Sequence, residues 1–302
     1  MKKMEFMKKF FLMLALSVAS VMGAEAKSAL VVIAHGSPME QWRKPVLDLE
    51  SQLRETMKDV DGISYVRVAM MEFTEPTIAT VVADCERQGV DTIFAIPLFI
   101  APSGHSEVDI PNILGHKYDP HVREELMEED TRFVRSRLPI VVGPTLSYDD
   151  FLEKTMLERV REMSKFPDKE AVLLVSHGDR QFVGFWNQKM RSICNHVKEQ
   201  SGIELVDYEF IAMGYTMSDD IIPILKQMGE KRSRVLVQGV YLISSAKEMA
   251  DMFEVEDVQK KELPANMEVV YSDRGILPAS AKEVCEWIKA RTLEWRGVRG
   301  EN

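Results

Sequence analysis

Short runs of apolar residues alternate along the chain with segments in which apolar residues recur every three or four positions. The first half holds four such runs, at residues 29–34, 63–71, 92–100 and 140–142. Apolar runs of this length, rich in β-branched residues and bounded by polar segments, predict buried strands. We therefore predict that four strands of the first half are covered on both faces.

The segments between these runs predict amphipathic helices. Five apolar residues at helical spacing follow the first strand, and four more precede the third strand. These residues are Trp42, Val46, Leu49, Leu53 and Met57 in the first segment and Ile78, Val81, Val82 and Cys85 in the second. Strands that alternate with helices in this way predict an α/β fold with a parallel sheet.

The second half repeats the strand ends of the first half at an offset of 142 positions. The matching segments are 31–36 with 173–178, 71–74 with 213–216, and 93–105 with 235–247. Three strand ends in one register indicate an internal duplication. We predict two similar lobes, residues 28–147 and 148–302, and an inserted excursion at residues 116–137 that has no counterpart of equal length in the second half.

The first 26 residues have the pattern of a secretory signal peptide. Four lysines lie among the first nine residues, an apolar run of twelve follows at 10–21, and Ala24-Glu25-Ala26 has the A-x-A pattern of a cleavage site. Twelve apolar residues fall short of the roughly 20 that a membrane-spanning helix needs. We expect a mature periplasmic protein that starts near Lys27 and has no stable membrane anchor.

Composition narrows the class of protein further. A length of 302 residues, with 45% hydrophobic and 28% charged residues, suits two globular domains of ordinary size. The net charge of −10 argues against nucleic acid or an anionic membrane as partner, since both favour clustered Lys and Arg. Cys85, Cys194 and Cys285 lie far apart in predicted helices, so we expect small buried residues and neither a disulfide framework nor a CxxC metal site.

Polar residues with metal-binding chemistry follow three predicted strands. His35 directly follows the first strand, Glu72 ends the second and His105 lies shortly after the third. Ligands of open parallel sheets bind at the carboxyl ends of the strands, where these side chains can converge. One histidine at a strand end is commonly a structural group, whereas a pair favours a site for cobalt, iron, nickel or zinc. Glu72 is then a proton acceptor or, alternatively, half of a buried ion pair.

Two further carboxylates, Glu107 and Asp109, accompany His105. They either serve the metal site or cap a helix that begins near Pro111.

The second lobe lacks the complete set of three residues. At the equivalent positions it has His177, Gly214 and Lys247. We therefore expect the first lobe to carry the metal chemistry and the second lobe to form a wall of the cleft, with His177 and Lys247 available to a substrate.

The segments around these residues resemble one enzyme family, the class II chelatases, and within it the sirohydrochlorin cobaltochelatase and ferrochelatase group. The segments that carry the resemblance are Ala34-His35-Gly36-Ser37, Met71-Glu72, Pro97-Leu98-Phe99, Gly104-His105 and Asp109-Ile110-Pro111. The resemblance implies a pair of flavodoxin-like lobes with the tetrapyrrole between them. It further implies that His35 and His105 bind the incoming metal and that Glu72 is the family's acidic residue.

The activity implied by this resemblance is that of a lyase which inserts Co²⁺ or Fe²⁺ into a tetrapyrrole such as sirohydrochlorin, with the metal as substrate and no organic cofactor. Gly36, Gly104, His177 and Lys247 are the expected substrate-binding residues, and Arg180 is a further cationic partner for substrate carboxylates. Enzymes of this group in cobalamin or sirohaem synthesis are generally cytosolic, whereas this sequence has an export signal. The alternative is therefore a periplasmic carrier of haem, another tetrapyrrole or metal that retains the fold.

Overall fold

The computed structural model describes residues 27–211 and 217–297, which form two sheets of four parallel strands each. The first sheet has the order β2-β1-β3-β4, with β1 (Ser28–Ala34), β2 (Ile63–Met70), β3 (Thr92–Pro97) and β4 (Ile140–Val142). The second has the order β6-β5-β7-β8, with β5 (Glu170–Ser176), β6 (Leu205–Phe210), β7 (Arg234–Gly239) and β8 (Glu268–Tyr271). The predicted fold of two α/β lobes with parallel sheets is confirmed.

Helices connect and cover these strands. The first lobe contains α1 (Glu40–Leu47), α2 (Leu49–Met57), α3 (Ile78–Arg87), a π-helical turn (His105–Asp109), α4 (Ile110–Ile113) and α5 (Pro120–Glu128). Then follow α6 (Phe151–Met163), α7 (Val183–Ser201), α8 (Met217–Gly229), α9 (Ala246–Met252), α10 (Val255–Glu262) and α11 (Ala281–Trp295). Among the residues that the structure describes, no helix combines the length and the apolar character needed to cross a membrane.

The end of β3 and the helix after β1 differ from the sequence pattern. Strand β3 ends at Pro97, three residues before its predicted end, because proline has no N–H to offer the strand ladder. The single helix predicted after β1 is interrupted at Asp48, and its first part contains Pro45. The three cysteines are free and buried on helices, as expected.

The duplication is visible in how the first and third strands of each lobe pair. Ser28 pairs with Thr92 in the first sheet, and Glu170 pairs with Arg234 in the second, so both strands keep the offset of 142. Ile93 and Val235, also 142 apart, pair with Ile140 and Val269, which are 129 apart. The first lobe therefore has 13 more residues between its third and fourth strands, in agreement with an inserted excursion.

The second strands do not keep the predicted offset. Ala29 pairs with Tyr65, and Ala171 pairs with Leu205, so these strands are related by 140 positions. The predicted match of 71–74 with 213–216 is therefore wrong by two positions, because the chain enters β6 two residues earlier relative to its partner strand. Gly214, the proposed counterpart of the first lobe's glutamate, lies outside the described residues.

The two lobes exchange helices across their boundary. Helix α6 follows β4 of the first lobe and packs on α7 and β7 of the second, whereas α11 follows β8 and packs on α2 of the first lobe. Trp295, at the end of α11, stacks on Phe94 of β3 with ring centroids 4.8 Å apart. One apolar core consequently runs through both lobes. The residues of α11, which the predicted boundary after residue 147 assigns to the second lobe, complete the first.

The excursion at 116–137 contains α5 and is tied to the body of the first lobe. The side chain of Asp119 caps α5 by accepting hydrogen bonds from the N–H groups of His121 and Val122. The guanidinium of Arg123 donates to the Asn112 carbonyl at 2.9 Å and lies 3.7 Å from the ring centre of Phe133. These contacts hold the excursion as a defined helical flap.

Candidate metal site

The backbone at the ends of β1 and β2 places Glu72 beside His35. The Met71 N–H donates to the Ala34 carbonyl at 2.8 Å, and the Glu72 N–H donates to the His35 carbonyl at 2.9 Å. These bonds extend the pairing of the two strands past their last regular residues. The positions of both side chains are thus fixed relative to each other by main-chain contacts.

His105 reaches the same rim through the π-helical turn that follows β3. The Leu98 N–H donates to the Ile33 carbonyl at 2.7 Å, and the chain then runs to Gly104 before the turn begins. The imidazole rings of His35 and His105 lie 4.6 Å apart, edge to face at 85°. Single π-turns are rare and are frequent at functional sites.

Three side chains in this rim lie close enough together to hold a metal ion. His35, Glu72 and His105 each have a ligand atom within 4.8 Å of the other two. The two imidazoles are about half-exposed, at 41% and 42%, whereas the Glu72 side chain beneath them is only 5% exposed. Donors that lie about 2.1 Å from one tetrahedral ion are about 3.4 Å apart, so binding of an ion draws the three ligand atoms closer together.

Hydrogen bonds to the Nδ1 atoms decide which nitrogen each histidine offers. His35 Nδ1 lies 3.1 Å from the Gly36 carbonyl, which can only accept, and His105 Nδ1 lies 2.8 Å from a carboxylate oxygen of Asp109. Both Nδ1 atoms therefore carry the proton in the neutral rings, and the Nε2 lone pairs are left for a metal. The carboxylate–histidine contact is the arrangement that orients metal-binding imidazoles in proteins.

The two carboxylates near His105 do not cap a helix at Pro111. Helical structure already begins at His105, Asp109 binds the His105 ring, and Glu107 accepts a hydrogen bond from the Ser106 hydroxyl. The spacing of four residues between His105 and Asp109 was the signal for this contact, since such residues are neighbours on one helical face.

Burial and charge shift the pKa values of the three donors in different directions. Burial, followed by the neighbouring His105, lowers the pKa of His35. Burial alone would also lower the pKa of His105, but the hydrogen bond and charge of Asp109 outweigh it and the pKa is raised. Burial, together with the charge of Glu129, raises the pKa of Glu72 to about 7. A carboxyl group with this pKa gains and loses a proton readily near neutral pH.

Gly36 is required by the geometry of this rim. Its φ is +97°, and a Cβ placed on it would lie 2.3 Å from the carbonyl oxygen of Glu72. Both the left-handed backbone and the close approach of the next strand end exclude a side chain.

We expect Gly36→Ala to lower the free energy of unfolding by about 2 kcal/mol or more and to weaken metal binding, because the strand ends must separate. Gly89→Ala is the matched control: its φ is +66° but no atom lies within 4 Å of the added carbon, so a loss of about 1 kcal/mol is expected. Urea denaturation of both variants measures the difference. Equal losses would contradict a steric role for Gly36.

Phe73, which sequence analysis did not single out, stands at the edge of the site. Its side chain is 57% exposed, and its ring centre lies 5.8 Å from that of His35. Its φ is +65°, and the Thr74 N–H donates to the Glu72 carbonyl around it at 2.8 Å. This is a γ-turn of the rare, strained form. The fold thus holds a solvent-exposed aromatic ring beside the histidine pair.

The remaining expected substrate-binding residues have separate surroundings. Gly104 lies in the loop before His105, and its helical φ and ψ do not require glycine. His177 is partly buried against the Tyr241 ring, with centroids 4.7 Å apart, and burial lowers its pKa to about 4. Lys247 is exposed on α9, where its ammonium pairs with Asp251 at 2.8 Å and with Glu256 at 3.6 Å. The structure brings Lys247 to these carboxylates and not to the histidine pair.

Comparison with known proteins shows that the chain is similar to chelatases. The CbiX family model matches residues 29–163. A sirohydrochlorin cobaltochelatase of Methanococcoides burtonii is 28% identical over 137 residues, which cover 45% of this chain and 97% of that protein. A sirohydrochlorin cobaltochelatase of Priestia megaterium is 25% identical over 248 residues, which cover 78% of this chain and 72% of that protein.

A solved structure extends the likeness of fold to both lobes. SirB from Bacillus subtilis with Fe³⁺ superposes with a TM-score of 0.64 over 90% of this chain and 98% of that chain, at 18% identity. The resemblance predicted from the strand-end segments is confirmed. Residues 29–163 of this chain are thus similar to the CbiX family, and both lobes share the fold of a solved chelatase.

Proposed function

We propose that the protein inserts a divalent metal ion, Co²⁺ or Fe²⁺, into a tetrapyrrole such as sirohydrochlorin. The observation that carries this proposal is the convergence of His35, Glu72 and His105, whose ligand atoms lie within 4.8 Å of one another. The names of the cobaltochelatase relatives support the choice of substrate and metal. The metal is a substrate in this reaction, and no organic cofactor takes part in it.

The site suits an ion that must be released again. His35 and His105 offer two neutral nitrogen donors from half-exposed rings, so other coordination positions stay open to the tetrapyrrole. A structural site with four protein ligands would resist transfer of the ion. Imidazole nitrogen also suits cobalt and iron better than it suits magnesium or calcium.

Insertion of M²⁺ displaces two protons from the pyrrole nitrogens, and the site contains acceptors for both. Glu72, with a pKa of about 7, takes the first proton as its ionised form. When the ion passes to the ring nitrogens, the imidazoles lose their metal, and His105 accepts the second proton because Asp109 stabilises its cation. Both protons then leave to solvent through the exposed edge of the rings.

Phe73 provides a surface for the flat macrocycle next to this donor set. Its exposed ring lies beside His35, and aromatic stacking on an extended π-system contributes about 0.5–1.5 kcal/mol beyond the area that it buries. We assign it to binding of the tetrapyrrole and not to the chemical step.

The absorbance spectrum of a mixture of the mature protein, expected to start near Lys27, and sirohydrochlorin tests the activity directly. Addition of Co²⁺ or Fe²⁺ should convert the spectrum of the free macrocycle into that of the metal complex faster than it does without protein. The carrier alternative predicts a different outcome, in which the protein binds the tetrapyrrole but does not accelerate metal insertion. The relatives favour the enzyme, and a carrier has no need of the buried Glu72 carboxyl.

Export remains a proposal that rests on the sequence pattern of residues 1–26, which lie outside the described residues. We expect a protein expressed with this segment to be cleaved after Ala26 and to be recovered from the periplasm. Intact-mass measurement of the purified protein checks the cleavage. Recovery of a mature protein that still carries residues 1–26 would contradict it.

A further inference from the structure

Two hydrogen bonds cross from the second lobe to the loop that carries His105. The Gly104 N–H donates to a carboxylate oxygen of Asp179 at 3.0 Å, and the indole N–H of Trp186 donates to the Pro102 carbonyl at 2.8 Å. The two loop groups, the Gly104 N–H and the Pro102 carbonyl, lie within three residues of His105. The second lobe thus contacts the histidine's own backbone segment.

The partners in the second lobe are themselves held in place. The other carboxylate oxygen of Asp179 accepts hydrogen bonds from the N–H groups of Gln181 and Phe182, at 2.8 and 3.1 Å. Trp186 is only 6% exposed, and its ring packs edge to face against Phe210 at 6.2 Å. Because Asp179 and Trp186 have fixed positions in the second lobe, their hydrogen bonds to Gly104 and Pro102 fix the position of the loop relative to that lobe.

The two metal-binding histidines are therefore supported differently. His35 is fixed within the first lobe, by the Gly36 carbonyl at its ring and by the Glu72 N–H at its own carbonyl. His105 is oriented by Asp109 in the first lobe, but the loop that leads to it is held from the second. The distance between the two Nε2 atoms consequently depends on contacts of both lobes.

We propose that Asp179 and Trp186 are positioning residues for metal binding: the second lobe, which lacks the complete donor set, sets the spacing of the histidine pair in the first. This inference rests on the proposed function of that pair. It gives the second lobe a role in the metal site beyond forming a wall of the cleft. Support of this kind is needed because a misplacement of a ligand by about 1 Å weakens a site severely.

Titration of the metal-free mature protein with Co²⁺ alone tests the inference, with the dissociation constant and the visible cobalt spectrum as readouts. Asp179→Ala should weaken Co²⁺ binding by about 10- to 100-fold, the range typical of groups that orient metal ligands. Trp186→Phe removes one hydrogen bond but keeps the aromatic packing, and a weakening of about 3- to 10-fold is expected. Asp168→Ala, at an exposed turn of the second lobe, is the control and should bind as the parent does.

The melting temperature of each variant separates positioning from general stability. A lowered melting temperature with an unchanged dissociation constant for Co²⁺ would overturn the inference, because a purely structural role affects folding and not the affinity of the folded protein. If Asp179→Ala fails to fold, the dissociation constant of Trp186→Phe for Co²⁺ tests the positioning role by itself. Failure of the parent to bind Co²⁺ would refute the metal site and the proposed function with it, whereas normal binding by parent and both variants refutes only the positioning role.

Discussion

Replacement of either His35 or His105 with alanine is expected to abolish metal insertion, with a loss of at least about 100-fold in rate. Changes that merely disturb the groups around metal ligands cost about 10- to 100-fold, and loss of one of two imidazole donors removes a bond to the ion itself. The centres of the two rings lie 4.6 Å apart, so both imidazoles can contribute a bond to one ion. The rate of formation of the cobalt tetrapyrrole measures the effect.

His177→Ala is the matched control for these two variants. His177 follows β5 as His35 follows β1, but its ring packs on Tyr241. We expect a loss of less than about 10-fold, below the range typical of groups that orient metal ligands, because the ring partner of His177 is Tyr241. Insertion by His35→Ala or His105→Ala at the rate of the parent would refute the assignment of the metal ligands.

Glu72→Gln is expected to lower the rate of insertion by about 100-fold or more while tetrapyrrole binding stays intact. Glutamine keeps the shape of the side chain and some of its hydrogen bonding, but it cannot accept a proton, and a positioned base contributes about 10²- to 10⁴-fold. In the parent, the rate should rise with pH through the pKa of about 7, as the carboxyl loses its proton. A variant that keeps the parent's rate and pH profile would show that Glu72 is not the acceptor.

The same variant should be more stable than the parent at alkaline pH. Glu72 binds its proton more tightly in the folded protein, where its pKa is about 7, than in the unfolded chain, where the ordinary value is 4.5. The free energy of unfolding of the metal-free parent therefore falls as pH rises between these values. Glutamine lacks this penalty, so Glu72→Gln should gain up to about 3 kcal/mol at pH 8 relative to pH 4. Urea denaturation at the two pH values measures the gain and shows that the slow variant is folded.

Sequence patterns predicted the strand ends of the first lobe closely enough to bring its three donors together. His35, Glu72 and His105 all follow apolar runs, and parallel strands end on one rim. The prediction that these side chains lie together therefore did not depend on the order of the strands in the sheet. The offset of 142 also holds for two of the strands. It fails for β6, because the lengths of connecting turns vary independently of the apolar pattern.

Contacts between distant segments had no signal in the sequence. Asp179 and Trp186 lie 75 and 84 residues from their partners in the first lobe, and neither residue type is unusual after a strand or in a helix. Lys247 shows the same limit: its position after β7 predicts a substrate contact, and the strand pattern did not indicate that Asp251 and Glu256 lie within reach of its ammonium. Local periodicity fixes which residues are buried, whereas side-chain partners depend on tertiary packing.

The exchange of helices between lobes has a consequence for the order in which the protein acquires its structure during translation. The sheet of the first lobe is complete at Val142, but the apolar faces of α2 and Phe94 are covered by α11, which begins at Ala281. At a synthesis rate of about 5–20 residues per second, these faces stay uncovered for roughly 7–30 s. The half that carries the proposed metal ligands therefore reaches its final packing only after nearly the whole chain has left the ribosome.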